Sequence, residues 1–175
     1  DKVVIAAGTD STQLADMASI KLPQRISPGV VARTAPIPPI IKNLSSLYLP
    51  PSDEWGNGIH IRQDHDGVVM FGAGDQENES DDDSQEYADS LIERAIRYFP
   101  ALSDVEAIRV PVGYRPMPID GLPVLGFAPE ATNIYITLMH SGATLAPIVG
   151  NLSALEIMTG TKTDCLEPYR PSRFK

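Results

Sequence analysis

The sequence predicts an α/β fold with α+β character. Three observations predict it. Val3-Val4-Ile5-Ala6-Ala7-Gly8 is a short apolar run ending in small residues, which reads as a buried parallel strand. Asp64-His65-Asp66-Gly67 separates two strand-like runs, 59–62 and 68–71, and reads as a hairpin turn with glycine where φ is positive. Between residues 84 and 98 the apolar pattern changes to helical spacing.

Each element follows in order. After the first strand, Thr9-Asp10-Ser11-Thr12 offers N-caps for a short helix reaching residue 18. Residues 26–35 alternate loosely and are β-branched, so a strand is expected. Pro36, Pro38, Pro39, Pro50 and Pro51 bracket an irregular region, where Tyr48 and Trp55 either cover a pocket or pack under the loop. His60 and His65 flank the hairpin and are expected in solvent. An acidic loop follows it. Tyr87, Leu91, Ile92, Ala95, Ile96 and Phe99 then form the apolar face of a helix over 84–98. Its acids near the start, and Arg94 and Arg97 near the end, suit the helix dipole, and Pro100 stops it. Residues 105–114, 124–127 and 134–138 read as strands. A buried helix over 144–158 closes on Gly160, with Ala143, Ala146, Gly150 and Ala154 as a small-residue face. The tail from residue 168 is irregular.

The formal charge of −9 over 175 residues is concentrated. Asp75, Glu77, Glu79, Asp81, Asp82, Asp83, Glu86 and Asp89 fall in one stretch without Lys or Arg, and the remainder is nearly neutral. This argues against nucleic acid, which requires a basic face to release counterions from phosphates. It also argues against an anionic membrane surface. No run approaches the ~18 apolar residues of a membrane span. The single Cys165 excludes an internal disulfide and fits a reducing compartment, which favours the cytoplasm, although many secreted proteins lack disulfides too. Asn-x-Ser triplets at Asn43, Asn78 and Asn151 carry little weight, the last falling on the expected buried helix. The chain opens at Asp1 directly on a strand, which suggests a processed or truncated chain.

Three segments are candidates for chemistry. Arg115 leaves a strand into the rigid turn Pro116-Met117-Pro118, where its fork can hold a carboxylate. The alternative is a structural pair with Asp120. Met139-His140-Ser141-Gly142-Ala143-Thr144 joins a strand end to a helix start. Its small residues let a ligand reach free N–H groups and the positive end of the dipole, and His140 can transfer a proton. The alternative is an ordinary helix capped by Ser141. Ala6-Ala7-Gly8 ends a strand as nucleotide-binding sheet edges do, or is simply a tight turn. There is no G-x-G-x-x-G, P-loop or G-x-S-x-G, and His60, His65 and His140 form no spaced metal cluster with Cys165.

In order, these segments resemble the carboxyl-terminal part of the D-amino acid oxidase family of flavoproteins, which takes in glycine oxidase, sarcosine oxidase and D-amino acid dehydrogenase. Val3 to Gly8 looks like the returning strand of the flavin domain, and Arg25 to Thr34 like the first strand of the substrate domain. Asp66 to Ala73 looks like the family's hairpin and Tyr98 to Leu102 like the end of its long helix. Gly113-Tyr114-Arg115-Pro116-Met117-Pro118-Ile119-Asp120-Gly121-Leu122-Pro123 is the strongest element. His140 to Pro147 resembles the flavin-contacting terminal segment, and Pro168 to Phe174 the tail.

The resemblance implies a two-domain flavoprotein: 1–22 and 113–175 in the FAD-binding domain, with 23–112 as a substrate domain containing a mixed sheet. It implies that Arg115 binds the substrate carboxylate and that His140 lies at the catalytic centre. It implies that Ala7, Gly8, Gly113, His140, Ser141, Gly142, Ala143 and Thr144 contact the cofactor, the helix N-terminus favouring negative charge on the flavin. The reaction implied is hydride abstraction from the carbon next to nitrogen in an amino acid or amine, with oxygen as acceptor. No cysteine stands where covalently flavinylated members carry one, so noncovalent FAD is expected. The segment after His140 is shorter than in glycine oxidase and lacks a second arginine. The Gly-rich fingerprint is absent, so an amino-terminal FAD-binding chain is the expected partner. Two rivals are a dehydrogenase on the same scaffold and a non-catalytic binding subunit.

Overall fold

The structure is a computed structural model that describes residues 1–43, 46–51, 58–73 and 80–174. Trp55, Asp75, Glu77, Asn78 and Glu79 lie outside the described residues. The chain opens with β1 (Val3–Ile5), α1 (Ser11–Asp16), β2 (Gln24–Arg25), β3 (Pro28–Gly29) and β4 (Val31–Arg33). Next come β5 (Leu47–Leu49), β6 (Ile59–Gln63), β7 (Val69–Ala73), α2 (Gln85–Ile96), β8 (Ile108–Arg109) and β9 (Gly113–Tyr114). β10 (Met117–Pro118), β11 (Val124–Phe127), β12 (Ile134–Leu138) and α3 (Gly142–Thr159) follow. The chain divides into two compact units, Asp1–Ile26 with Arg115–Lys175, and Ser27–Tyr114.

In the first unit β12 is the central strand. β1 pairs with it in parallel, Ile5 opposite Ile136, and β11 pairs with it antiparallel, Val124 opposite Leu138. Ile5, Ala15, Ile20, Leu22, Val124, Ile136 and Leu138 bury together. Leu125, Met139, Val149 and Leu166 form a second cluster. The two clusters follow from the strand period of two, which sends Val124 and Leu125 to opposite faces.

Two expectations of burial fail here. Val3 and Val4 are about half exposed, because β1 is an edge strand and only Ile5 turns into the core. α3 is apolar on all sides yet buries only Val149, Ser153 and Glu156. Ile148, Leu155 and Met158 are exposed, as are Asn151 and the small residues Ala143, Ala146, Gly150 and Ala154. Contact on one side of the helix is the physical reason.

A buried ionic cluster ties α3 to the tail. Glu156 accepts from Tyr135 Oη at 2.9 Å, from the Thr163 N–H, and from both terminal nitrogens of Arg170 at 2.8 and 2.7 Å. Burial pushes the Glu156 carboxyl up, but these donors outweigh it and hold it down at about 2. Burial pushes Tyr135 up to about 12. Gly126 lies beneath this cluster at φ +134, and a Cβ there would meet Arg170 Nη1 at 2.9 Å.

The second unit is an antiparallel sheet, β5-β6-β7-β4-β8, with α2 on one face. Ala88, Leu91, Ile92 and Ala95 of α2 pack on Ala32, Ile61, Val69 and Phe71. Ser84 caps α2 by accepting from the Tyr87 N–H. The β6–β7 turn forms as expected, with Gly67 at φ +88. The strands expected over 26–35 and 105–114 are each broken. β4 pairs with β7 and β8, whereas β3 pairs with β9, and the register steps by one residue between the two ladders. Pro111, without an N–H, falls in that step.

His60 is half-buried rather than solvated: its Nδ1 lies 3.2 Å from the Ala73 carbonyl and its ring tilts on Tyr48. Asp81 and Asp82 are exposed as expected, but Asp83 accepts from the Val112 N–H at 2.9 Å and pairs with Arg109 at 3.3 Å. No described helix is long and apolar enough to cross a membrane.

Candidate functional site

Parallel pairing of β1 and β12 directs both carboxyl ends the same way. Such ends are where open α/β sheets hold ligands, because the following turns and helix starts present unpaired N–H groups there. Ala7 and Gly8 follow β1, and His140 to Thr144 follow β12.

The first turn is held from below. The Ala7 N–H donates to Oγ of fully buried Ser11 at 3.1 Å, and Gly8 turns the chain at φ +59. A Cβ on Gly8 would come 4.0 Å from Pro116 Cγ, so this turn lies beside the one that carries Arg115. Gly8 starts a short 3-10 turn that leads into α1.

The second turn departs from an ordinary cap. Ser141 occupies the N-cap of α3 at φ +60, but its side chain makes no capping bond. Ser141 Oγ instead lies 2.8 Å from His140 Nδ1. The Leu145 N–H takes the Ser141 carbonyl at 3.0 Å, while Gly142, Ala143 and Thr144 are exposed. A Cβ on Gly142 would meet nothing within 4 Å. The left-handed backbone at Ser141 is unusual for a residue with a side chain. With Ser141 Oγ turned to His140, the start of α3 presents uncapped N–H groups and space for a group bearing partial negative charge. These residues fit the polar edge of a flavin.

His140 is half-buried. Burial, then the charges of Arg115 and Arg25, lower its pKa below the ordinary 6.5, so it is neutral at pH 7. A neutral imidazole can accept a proton.

Arg115 is half-buried, and its Nη1 is buried without a hydrogen-bond partner. The structural pairing with Asp120 does not form. Asp120 instead takes a two-pronged ion pair from Arg173, Nε to Oδ2 at 2.7 Å and Nη2 to Oδ1 at 3.1 Å. Those bonds hold the Asp120 carboxyl below its usual range. Arg115 therefore keeps its fork for something other than the turn.

Arg25 is the residue that sequence reasoning missed as a site member. It lies on β2, opposite Met117 of β10. Its sequence context is a strand start, and only that long-range pairing brings it to the turn of Arg115. Gly113 pairs with Gly29 in the Ser27–Tyr114 unit and is exposed.

A profile of the family described as DAO, FAD dependent oxidoreductase, matches residues 1–155. One of the subunits of opine oxidase from Agrobacterium tumefaciens (strain Ach5) is 29% identical over 174 residues, covering 99% of this chain and 43% of that protein. The chain thus spans less than half the length of the curated relatives it matches. Among solved structures, glycine oxidase from Geobacillus kaustophilus superposes with a TM-score of 0.76 at 22% identity, over 98% of this chain and 45% of that one. L-proline dehydrogenase from P. horikoshii does so with a TM-score of 0.76 at 23% identity, over 99% of this chain and 46% of that one.

Proposed function

Because the chain belongs to the DAO family of FAD dependent oxidoreductases, we propose that it supplies the substrate-holding part of an enzyme that oxidises a C–N bond of an amino acid or amine. The observation that carries this reading is Arg115, whose Nη1 is buried and unpartnered beside a neutral His140. A buried guanidinium nitrogen without an acceptor is costly, and a substrate carboxylate relieves that cost.

FAD, when bound, supplies the acceptor for the hydride removed from the carbon that bears nitrogen. The substrate also loses a proton from nitrogen, leaving an imine that water hydrolyses. Arg115 fixes the carboxylate and so orients the reacting carbon. His140 is held uncharged and is available to take the proton. The N–H groups of Gly142, Ala143 and Thr144, with the dipole of α3, favour negative charge on the adjacent cofactor edge. Ala7 and Gly8 allow close approach of the cofactor. We assign 1–22 and 113–175 to the flavin-binding side and 23–112 to the substrate side.

FAD is held without a covalent bond: Cys165 is exposed in the tail, away in sequence from every residue named above. The activity belongs to an assembly larger than these 175 residues, because the chain accounts for 43% of its relative, itself named as a subunit. The companion segment carries the dinucleotide-binding fingerprint. Oxygen is the proposed acceptor. A dehydrogenase passing electrons to another acceptor is the second reading, which the fold shared with L-proline dehydrogenase accommodates.

The test uses the assembled protein. Flavin absorbance that bleaches without oxygen on adding an amino acid supports the reading, and peroxide on re-aeration separates oxidase from dehydrogenase. An assembly that binds no flavin, or whose flavin no amine or amino acid bleaches, rejects it. Arg115→Gln removes a charged hydrogen-bonding group worth about 1.5–3 kcal/mol, so KM for a carboxylate substrate should rise roughly 10- to 150-fold. An unchanged KM dismisses the assignment of Arg115.

A further inference from the structure

We propose that Ser141 is the positioning residue for His140: its hydroxyl oxygen accepts from the Nδ1–H of the imidazole and so leaves the proton-accepting lone pair on Nε2. The proposal rests on the reading of His140 as the proton acceptor and names the group that fixes its working tautomer.

The backbone makes this contact. A serine at the N-cap of a helix ordinarily has extended backbone, and its side chain accepts from an N–H of the first turn. Ser84 does this for α2 at φ −64 and ψ 160, taking the Tyr87 N–H at 3.1 Å. Ser141 holds the same position on α3, but at φ 60 and ψ 33 and with no capping bond. Its Oγ lies 2.8 Å from Nδ1 of the preceding residue, His140, instead. A left-handed conformation crowds any residue that carries a Cβ. The chain therefore gives up both a helix cap and a relaxed backbone at the one place where the half-buried His140 gains a partner. Strain of this kind collects at functional sites.

The direction of the bond follows from what the imidazole has to do. A neutral ring has one N–H and one lone pair. If the hydroxyl donated to Nδ1, the ring proton would sit on Nε2 and the only lone pair would be occupied. With Nδ1–H donating to Oγ, Nε2 keeps its lone pair. It then takes the proton from the substrate nitrogen, whose N–H bond breaks while the electron pair stays on nitrogen. The resulting imidazolium still carries the Nδ1–H, so its bond to Ser141 persists through the transfer and becomes charge-assisted. That support matters because burial, then the charges of Arg115 and Arg25, disfavour a charged ring. A base held in one tautomer and one orientation by a third group is the general arrangement for such a step.

The test uses the assembled flavoenzyme with isotope-labelled histidine ring nitrogens read by NMR, and His140→Gln identifies the signals that belong to His140. In the wild type, Nδ1 should be protonated and Nε2 should not. Ser141→Gly removes the hydroxyl and suits the left-handed backbone. It should raise the urea midpoint, lose the Nδ1–H tautomer and lower kcat at least about tenfold. KM for a carboxylate substrate should stay within about threefold of the wild type, because Arg115 is untouched. Ser141→Thr keeps the hydroxyl but adds a branch at Cβ, so it should lower the midpoint and retain the Nδ1–H tautomer. Stability and tautomer thus move in opposite directions, which a merely structural serine would not produce. An Nε2–H tautomer in the wild type, or a Ser141→Gly variant with the tautomer and kcat of the wild type, overturns the role of Ser141 alone. Undiminished kcat in His140→Gln overturns the proton role of His140 and this proposal with it. No bleaching of the flavin by any amine or amino acid rejects the oxidoreductase reading as well.

Discussion

Asp120 shows how one residue decides the meaning of another. In the sequence, Arg115 and Asp120 share a proline-rich turn, and a local pair is the simplest use of both. The acid is taken by Arg173 from the far end of the chain, and that partner carries no local sequence signal. Arg25 is invisible for the same reason. The turns at His140 to Thr144 and Ala7-Gly8 were legible, because small residues at strand ends have a local cause. Glu156 carries the clearest residue-scale prediction. Glu156→Gln leaves Arg170 only the exposed Glu167, 3.6 Å from its Nε, as a counter-charge, and losing one member of a buried pair costs about 3–5 kcal/mol. A urea midpoint that does not move would refute this. The pH dependence has a definite sign. The Glu156 carboxyl is depressed from its ordinary 4.5 to about 2 on folding. Its contribution is complete above the unfolded value and is lost as pH falls from about 4.5 through about 2. Acid titration of the wild type should show that loss, and Glu156→Gln should flatten it.

Elements were legible where a single local rule governs them. The turn at Asp64 to Gly67 and strands β11 and β12 match their sequence signals. The segments 26–35 and 105–114 were not, because β-branched content says nothing about which strand a residue will meet. Each changes partners midway, and Pro111 marks the change in the second. Gln63, at the end of β6, makes a prediction for the irregular segment before β5. Its Oε1 accepts from the Ile40 and Ile41 N–H groups, and its Nε2 reaches the carbonyls of Ile37, Pro38 and Gly67. One amide side chain therefore replaces the strand that this proline-rich stretch lacks. Gln63→Ala should destabilise the Ser27–Tyr114 unit by about 1–3 kcal/mol. Amide hydrogen exchange at Ile40 and Ile41 should accelerate, and unchanged protection would contradict the role.

For the whole molecule, the charge of −9 is local, and the residues proposed for chemistry are cationic, small or uncharged. Helix α3 was misjudged because uniform apolarity is the usual mark of a helix covered all round. Its exposed Ile148, Leu155 and Met158, together with the edge formed by Val3 and Val4, predict that these 175 residues self-associate when expressed alone. Light scattering should detect it, and Ile148→Lys with Met158→Lys should reduce it. Monodisperse behaviour of the unaltered chain would count against that prediction.

The parallel pairing of β1 with β12 also constrains the order of events at the ribosome. Val3 must wait for Ile134, and all of Ser27–Tyr114 is translated between them. At about 5–20 residues per second that interval lasts on the order of ten seconds. Ser27–Tyr114 has its full set of strand partners before β12 emerges, and pairings that span so much chain form slowly. The inserted unit is thus free to fold first, although β1 precedes it in the chain. During that delay the apolar strand β1 is available to chaperones.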